Sequence, residues 1–380
     1  MVFDLRSETM EGTDKLNRRE FIRKSSINTV GLAAGLNLVS SLKASAAQIA
    51  EISKTRSFNP DMEYRRLGKT GLWVSAVCLG GHWKRVDKII KMKGAVNPYK
   101  GPEDQADLEP FHKNRHDIVS RCIDVGINMI DFAGDSEPYV YGKALKGRRD
   151  KMYIAYSGAE CEMRNPKNRK AEIQVEIFEK GLKKSGVEYA DVWRIMALER
   201  GGNHTQGEVE EMIKALETAK KKGLCRFTGL STHDRKWAKM LIETYPDIVQ
   251  VLVTPYTSNS KVLRKNSLFD AVKKYDVGVL GIKPFASNSL FKGDSSPNNP
   301  HAAEDDKKAR MAIRYILANP AITAPIPGLV STHQVDNVAL AIKERRQLDI
   351  VEKAELAQAN DEMWARLPED YQWLKEWEYV

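Results

Sequence analysis

Cysteine is scarce in this sequence, with four in 380 residues, at positions 78, 122, 161 and 225. None forms a CxxC pair, which excludes a zinc knuckle, a redox dithiol and a disulfide-stapled scaffold. No run of about 20 apolar residues is present, so no segment reads as a membrane span. Glycine (25) and proline (15) occur at ordinary frequencies, which excludes collagen-like and low-complexity classes. A GxGxxG dinucleotide fingerprint is missing after the first candidate strand, which runs instead into Leu79-Gly80-Gly81-His82. The 60 Lys+Arg and 51 Asp+Glu are interspersed, with no long basic run among aromatics. The excess of +9 therefore reads as solvated helix faces, and nucleic acid is not an expected partner.

With 42% hydrophobic and 29% charged residues, the chain can build a substantial core in one large or two medium domains. Its first 46 residues read as an address. Residues 17–24 are Asn-Arg-Arg-Glu-Phe-Ile-Arg-Lys, a weakly apolar stretch follows over 27–42, and the segment closes on Ala44-Ser45-Ala46. Arg18 and Arg19 followed by Phe21 and Ile22 resemble a twin-arginine export signal. The stretch after them carries Asn28, Gly31, Gly35 and Asn37, less apolar than most general-secretion signals. Expected, then, are a signal peptide over 1–46, a linker over 47–62, passage through the twin-arginine machinery to the periplasm, and no membrane span after cleavage.

From Tyr64 onward, short β-rich runs alternate with amphipathic helical runs. A hairpin over 64–72, turning at Gly68 and Gly71, precedes eight candidate strands at 74–79, 128–132, 152–156, 191–198, 225–230, 248–253, 277–282 and 322–326. The clearest helix, 208–222, carries Val209, Met212, Ile213, Leu216 and Ala219 on one face. Further helices are expected over 307–317 and 332–345. Eight strand–helix units over this length fit a closed (β/α)8 TIM barrel, with catalytic residues at the C-terminal strand ends. Residues 84–114 form a long insertion after the first strand, either a lid or a surface packing element. A helical tail over 348–380 holds Trp364, Trp373 and Trp377, and an aromatic-rich end of this kind is expected to dock back on the barrel.

Several stretches together carry a family resemblance. Residues 64–81, Tyr-Arg-Arg-Leu-Gly-Lys-Thr-Gly-Leu-Trp-Val-Ser-Ala-Val-Cys-Leu-Gly-Gly, are similar to the opening of the aldo-keto reductases. Gly126-Ile-Asn-Met-Ile-Asp-Phe132, Tyr141-Gly-Lys-Ala-Leu-Lys-Gly-Arg-Arg-Asp-Lys151, Gly229-Leu-Ser-Thr232 and Pro325-Ile-Pro-Gly328 resemble later landmarks of that family, in the same order. The resemblance covers about 63–347. It implies reversible carbonyl reduction by hydride from a nicotinamide cofactor, NADP(H) usually and NAD(H) as the alternative. It also implies a catalytic set of Asp, Tyr, Lys and His.

That set is not retained. Asp131 matches the family Asp, but Ser136 stands at the tyrosine position, Ser157 at the lysine position and Met196 at the histidine position. A phenol with an ordinary pKa near 10 needs a cation beside it to act at neutral pH, and methionine has no proton to give. The catalytic candidates are therefore Asp131, Tyr139, His82 and Lys283. Cofactor contacts implied by the resemblance are Ser231, Thr232, Gln250, Gly328, Ser331, Gln334 and Asn337. The loop 328–332 reads as a phosphate cradle lacking a basic residue. Trp83, Trp193 and Tyr256 are substrate-contact candidates with core packing as the alternative. His82 and His233 with Glu160 or Glu199 lack metal-ligand spacing, so no metal is expected. Three readings stay open: an oxidoreductase with a rearranged acid acting on a small molecule, a sugar included; a non-catalytic barrel binding a small molecule or a protein; and a carbohydrate enzyme using carboxylates such as Asp131 and Glu160.

Overall fold

The computed structural model describes residues 46–91, 108–263 and 265–377, without the side chains of Glu160 and Trp377. The expected signal peptide and the middle of the 84–114 insertion lie outside the described residues. Eight parallel strands follow one another in chain order: β3 (Leu79–Gly80), β4 (Met129–Asp131), β5 (Tyr153–Tyr156), β6 (Ala190–Met196), β7 (Cys225–Ser231), β8 (Val251–Pro255), β9 (Gly278–Ile282) and β10 (Ala324–Ile326). The first and last close on each other through Cys78 N to Pro325 O (3.0 Å), Gly80 N to Pro327 O (2.8 Å) and a parallel bridge between Gly80 and Gly328. This is the expected (β/α)8 barrel.

The first strand differs from its expected span of 74–79. An antiparallel hairpin pairs β1 (Tyr64–Arg66) with β2 (Trp73–Ser75), so Val74 and Ser75 belong to it and leave only Leu79–Gly80 for the barrel. The chain is turned inward there by Ser75, whose N–H donates to Asn128 Oδ1 and whose hydroxyl donates to Val77 O. Leu67 and Leu72 of the hairpin join Met129, Val192, Val251, Val253 and Leu280 in the apolar filling of the barrel. The hairpin thus plugs the N-terminal end, and any cavity is left to the opposite end.

Helices cover the outside. Gln206–Lys221 begins at Thr205, which with Glu208 forms a reciprocal capping box, and buries the five apolar residues expected of it. The four larger ones, Val209, Met212, Ile213 and Leu216, each stabilise the fold by roughly 1.5–3 kcal/mol. Ala302–Leu317 and Thr332–Lys343 follow β9 and β10. After Ile350–Ala365 the tail turns through Pro368 and carries Tyr371 and Trp373 back over the C-terminal strand ends. Among the described residues, no helix is long and apolar enough to cross a membrane.

Candidate active site

A cavity of about 290 Å³ opens at the C-terminal strand ends, the side where barrel chemistry is placed. Its lining includes the Asp131–Arg194 pair. Arg194 sits within β6, two residues before Met196 and hence on the same inward face. Its Nε and Nη2 each donate to one Asp131 oxygen at 2.7 Å, and Nη2 also donates to Phe132 O at 2.9 Å. Both side chains are buried, at 1% and 3% exposed. Burial pushes the Asp131 carboxyl up to about 6, with the Arg194 guanidinium pulling the other way. The remaining nitrogen, Nη1, is buried with no hydrogen-bond partner among the described residues. An unpaired guanidinium N–H is costly to bury, and an acceptor supplied by a ligand relieves that cost.

Beside this pair stands a second one. His82 lines the cavity and its Nδ1 meets Glu137 Oε1, while Glu137 Oε2 accepts the N–H groups of Ala133 (2.6 Å) and Gly134 (3.0 Å). Glu137 is fully buried, so both oxygens are committed, and the His82 ring is held by a fixed carboxylate. Gly81 makes the arrangement possible, because a Cβ there would overlap Glu137 Oε2. Glu137 opens the helix Glu137–Ala144, one residue after Ser136 at the family's tyrosine position.

The other two vacated positions are tied together by a third carboxylate. Glu162 Oε2 accepts from Ser157 Oγ (2.7 Å) and Met196 N (2.6 Å), and Oε1 accepts from Trp193 Nε1 (2.9 Å). Burial raises the Glu162 carboxyl, and these donors oppose the rise. Ser157 is thereby fixed through its hydroxyl and Met196 through its backbone, while the Met196 side chain lines the cavity.

The tail forms the far wall. Trp373 stacks on His233 at 4.2 Å, and Lys283 lies 5.2 Å from the Tyr371 ring and 5.5 Å from that of Trp373. Lys84 approaches the same Tyr371 ring at 5.7 Å and donates to Ser287 Oγ at 2.7 Å. Burial pushes the Tyr371 phenol up, but Lys283, Lys84 and its hydrogen bonds outweigh that and leave it lowered. Burial, then Lys283 and Arg164, holds His233 well below the usual imidazole range, hence neutral. The loop after β9 carries Lys283, Ala286, Ser287 and Asn288 in left-handed backbone, a concentration of strain of the kind found at ligand sites.

A second cavity, of about 430 Å³, shares Lys84, Phe285, Asn288 and Gly328 with the first, so the two form one trough. It runs from Asp131 past Gly328 to the N-terminal turns of Thr332–Lys343. There Ser331 caps the helix by accepting from Gln334 N (3.2 Å), and Gln334 Oε1 accepts from Val330 N (2.8 Å). A Cβ at Gly328 would stand 2.7 Å from His82 O, so the trough is pinched around bare backbone where its halves meet.

The structure gathers Asp131, His82, Lys283, Ser231 and Gly328 around the first cavity, and Gly328, Ser331, Gln334 and Asn337 around the second. Other candidates stand elsewhere. Tyr139 lines neither cavity and lies under the Lys143 ammonium at 4.6 Å. The Thr232 hydroxyl is spent on Leu198 O and Glu199 O. Gln250 precedes β8, at the opposite end of the barrel, where its Oε1 accepts from Lys220 and Thr228. Trp83 packs on Phe111, Trp193 stacks on Phe178, and the Tyr256 hydroxyl accepts from Asn319, all three in the core. Lys283 meets the tail's aromatics, while Asp131 takes Arg194 as its cation. Among the described residues, no group of three His, Cys, Asp or Glu side chains is placed to hold a metal. Sequence reading missed Arg194, Glu137, Glu162 and Tyr371.

Comparison with known proteins agrees with this geometry. The Aldo/keto reductase family model matches residues 111–309. L-galactose dehydrogenase of Arabidopsis thaliana is 24% identical over 310 residues, 76% of this chain and 90% of that protein. The uncharacterised oxidoreductase YqkF of Bacillus subtilis is 23% identical over 60% of this chain and 82% of its own. The holo form of an aldo-keto reductase from Bacillus halodurans superposes with a TM-score of 0.55 at 18% identity, covering 78% of this chain and 96% of that one. A family model that spans more than half of the sequence, on a barrel of matching topology, settles the ancestry: this chain belongs to the aldo/keto reductase family.

Proposed function

We propose that the protein is an exported oxidoreductase that interconverts a carbonyl and an alcohol on a small sugar-like substrate, with His82 replacing the family's tyrosine as proton donor. The observation that carries this is the buried Asp131–Arg194 pair with its unpartnered Nη1, flanked by His82 on Glu137.

A nicotinamide dinucleotide is the group the family implies, and the trough suits one: its two halves join at the backbone of Gly328, with Lys84 at that waist and Lys283 in the first cavity. When bound, that cofactor supplies or accepts the hydride. Ser231, at the end of β7 in the cavity lining, would hold a carboxamide, and Lys84 and Lys283 would offer positive charge to a diphosphate.

Arg194 Nη1 donates to the carbonyl oxygen and stabilises the negative charge that grows there. Asp131 holds the guanidinium in plane and compensates its charge. Starting from the imidazolium, His82 gives its Nε2 proton to the same oxygen and is left as the Nδ1–H tautomer, which Glu137 holds. In oxidation the same groups act in reverse. Arg164, Glu199 and Asp370 line the remaining wall, enough polar groups to meet several hydroxyls. The similarity to a protein named for galactose oxidation supports the sugar reading. Residues Arg18 and Arg19 support export.

Steady-state assays with a panel of aldoses, ketoses and simple aldehydes test the proposal through the absorbance of reduced nicotinamide. Turnover in the unaltered protein and its loss in Arg194→Lys are expected. No turnover on any of these, in either direction, would count against it.

A further inference from the structure

We infer that the trough takes NAD(H) in preference to NADP(H), with Asp306 and its partner His333 as the discriminating residues; this rests on the nicotinamide chemistry proposed above. Hydride chemistry places the reacting ring beside Asp131 and Arg194. The rest of the dinucleotide then runs past Gly328, and its adenosine end falls in the distal cavity. NADP differs from NAD by one phosphate, on the adenosine ribose, so the distal lining decides between them.

That lining is acidic. Asp305 and Asp306 both contribute, and among the described residues its basic side chains are Lys84, back at the waist, and His333. Asp305 accepts from Lys292 N (2.9 Å), Gly293 N (2.8 Å) and Asn299 Nδ2 (3.2 Å), fixing the wall formed by 292–299. Asp306 Oδ2 holds His333 Nε2 at 2.6 Å, and its backbone oxygen accepts from Asn337 Nδ2 at 3.1 Å. His333 is thus already paired with a carboxylate. Arg310, one turn further along the helix from Asp306, is not part of the lining: Nη1 donates to Asn337 Oδ1 (2.6 Å) and Nε to Glu344 (2.7 Å). Ser331 and Gln334 use their side chains on the helix cap.

A ribose phosphate brings about −1.5 to −2 charges at neutral pH and needs a cation to meet it. Here it would meet carboxylates, with the nearest arginine of that helix hydrogen-bonded to Asn337 and Glu344. A free ribose diol, by contrast, donates hydrogen bonds, and a carboxylate is its best acceptor. The family expectation of NADP(H) is reversed by these residues.

Calorimetric titration of the full-length chain with NADH and NADPH, at fixed ionic strength, is the test. NADH should bind at least tenfold tighter. Asp306→Ala should narrow the gap several-fold and Asp306→Arg should invert it; Asp306 is near the surface, and thermal melts check that both variants fold. NADPH binding as tightly as NADH, or a gap unchanged in both variants, would overturn the inference while leaving the nicotinamide reading intact. Binding of neither would overturn that reading, and the inference with it.

Discussion

Arg194 and Asp131, 63 positions apart in sequence, meet through two parallel hydrogen bonds of 2.7 Å on the floor of the cavity. The fork-to-fork geometry gives the carboxylate a planar partner that a lysine does not reproduce. Arg194→Leu leaves a buried carboxylate unpaired, and about 3–5 kcal/mol of stability should be lost in urea denaturation. A loss below about 1 kcal/mol would mean that solvent or another cation serves Asp131.

The Asp131 carboxyl, raised by burial to about 6 from an ordinary 3.8, makes two pH effects of opposite sign. For stability, a raised carboxyl contributes fully below its unfolded value and loses that contribution as pH rises through about 6. Asp131→Asn should therefore flatten the fall in stability between about pH 4 and 6. For turnover the ion pair is needed, so kcat/KM should fall as pH drops through about 6, and Asp131→Asn should lack that limb. A pH profile shared by both proteins would remove Asp131 from the mechanism.

His82 and Glu137 divide one task. His82→Gln should lower kcat by about 10²–10⁴ while cofactor affinity changes little. Glu137→Gln should give a smaller loss, because the imidazole keeps a neutral partner at the same place. Gly81→Ala, which drives a methyl group into Glu137, should resemble Glu137→Gln. Equal activity of His82→Gln and the unaltered protein would assign the proton to another donor.

Export is a separate matter. Replacing Arg18 and Arg19 with lysine should leave the protein in the cytoplasm when cells are fractionated. Unchanged export would point to another route.

The barrel was legible because eight apolar strand runs alternate with helices whose buried faces repeat as Val209, Met212, Ile213, Leu216 and Ala219 do. The hairpin strand Trp73–Ser75 was folded into the first barrel strand because periodicity cannot tell where one apolar run changes sheets. The site was half legible. Asp131 and His82 stand in or beside stretches that resemble the family, but their partners Arg194 and Glu137 fall outside them. A signal for Arg194 existed: it shares parity with Met196, so it is a charged residue on the inward face of a buried strand. Glu137 and Tyr371 had no such mark, since a helix-opening carboxylate and a tail tyrosine are common on surfaces. Trp193 and Tyr256 looked like cavity aromatics because strand ends are near, yet their side chains turn to the helix layer. The tail's docking on the barrel follows from its aromatics, as Trp373 on His233 shows.

The central claim is hydride transfer on this rearranged floor, and deuterium reports it directly. The full-length protein would be given reduced nicotinamide deuterated at the transferring position, together with the best sugar or aldehyde of the panel, and the product analysed by mass spectrometry and NMR. Deuterium at the carbinol carbon, strongly reduced in His82→Gln and Arg194→Lys although both still bind the cofactor, is the predicted result. Bound cofactor with no deuterium in any product would mean that this barrel has kept the family's fold without its chemistry.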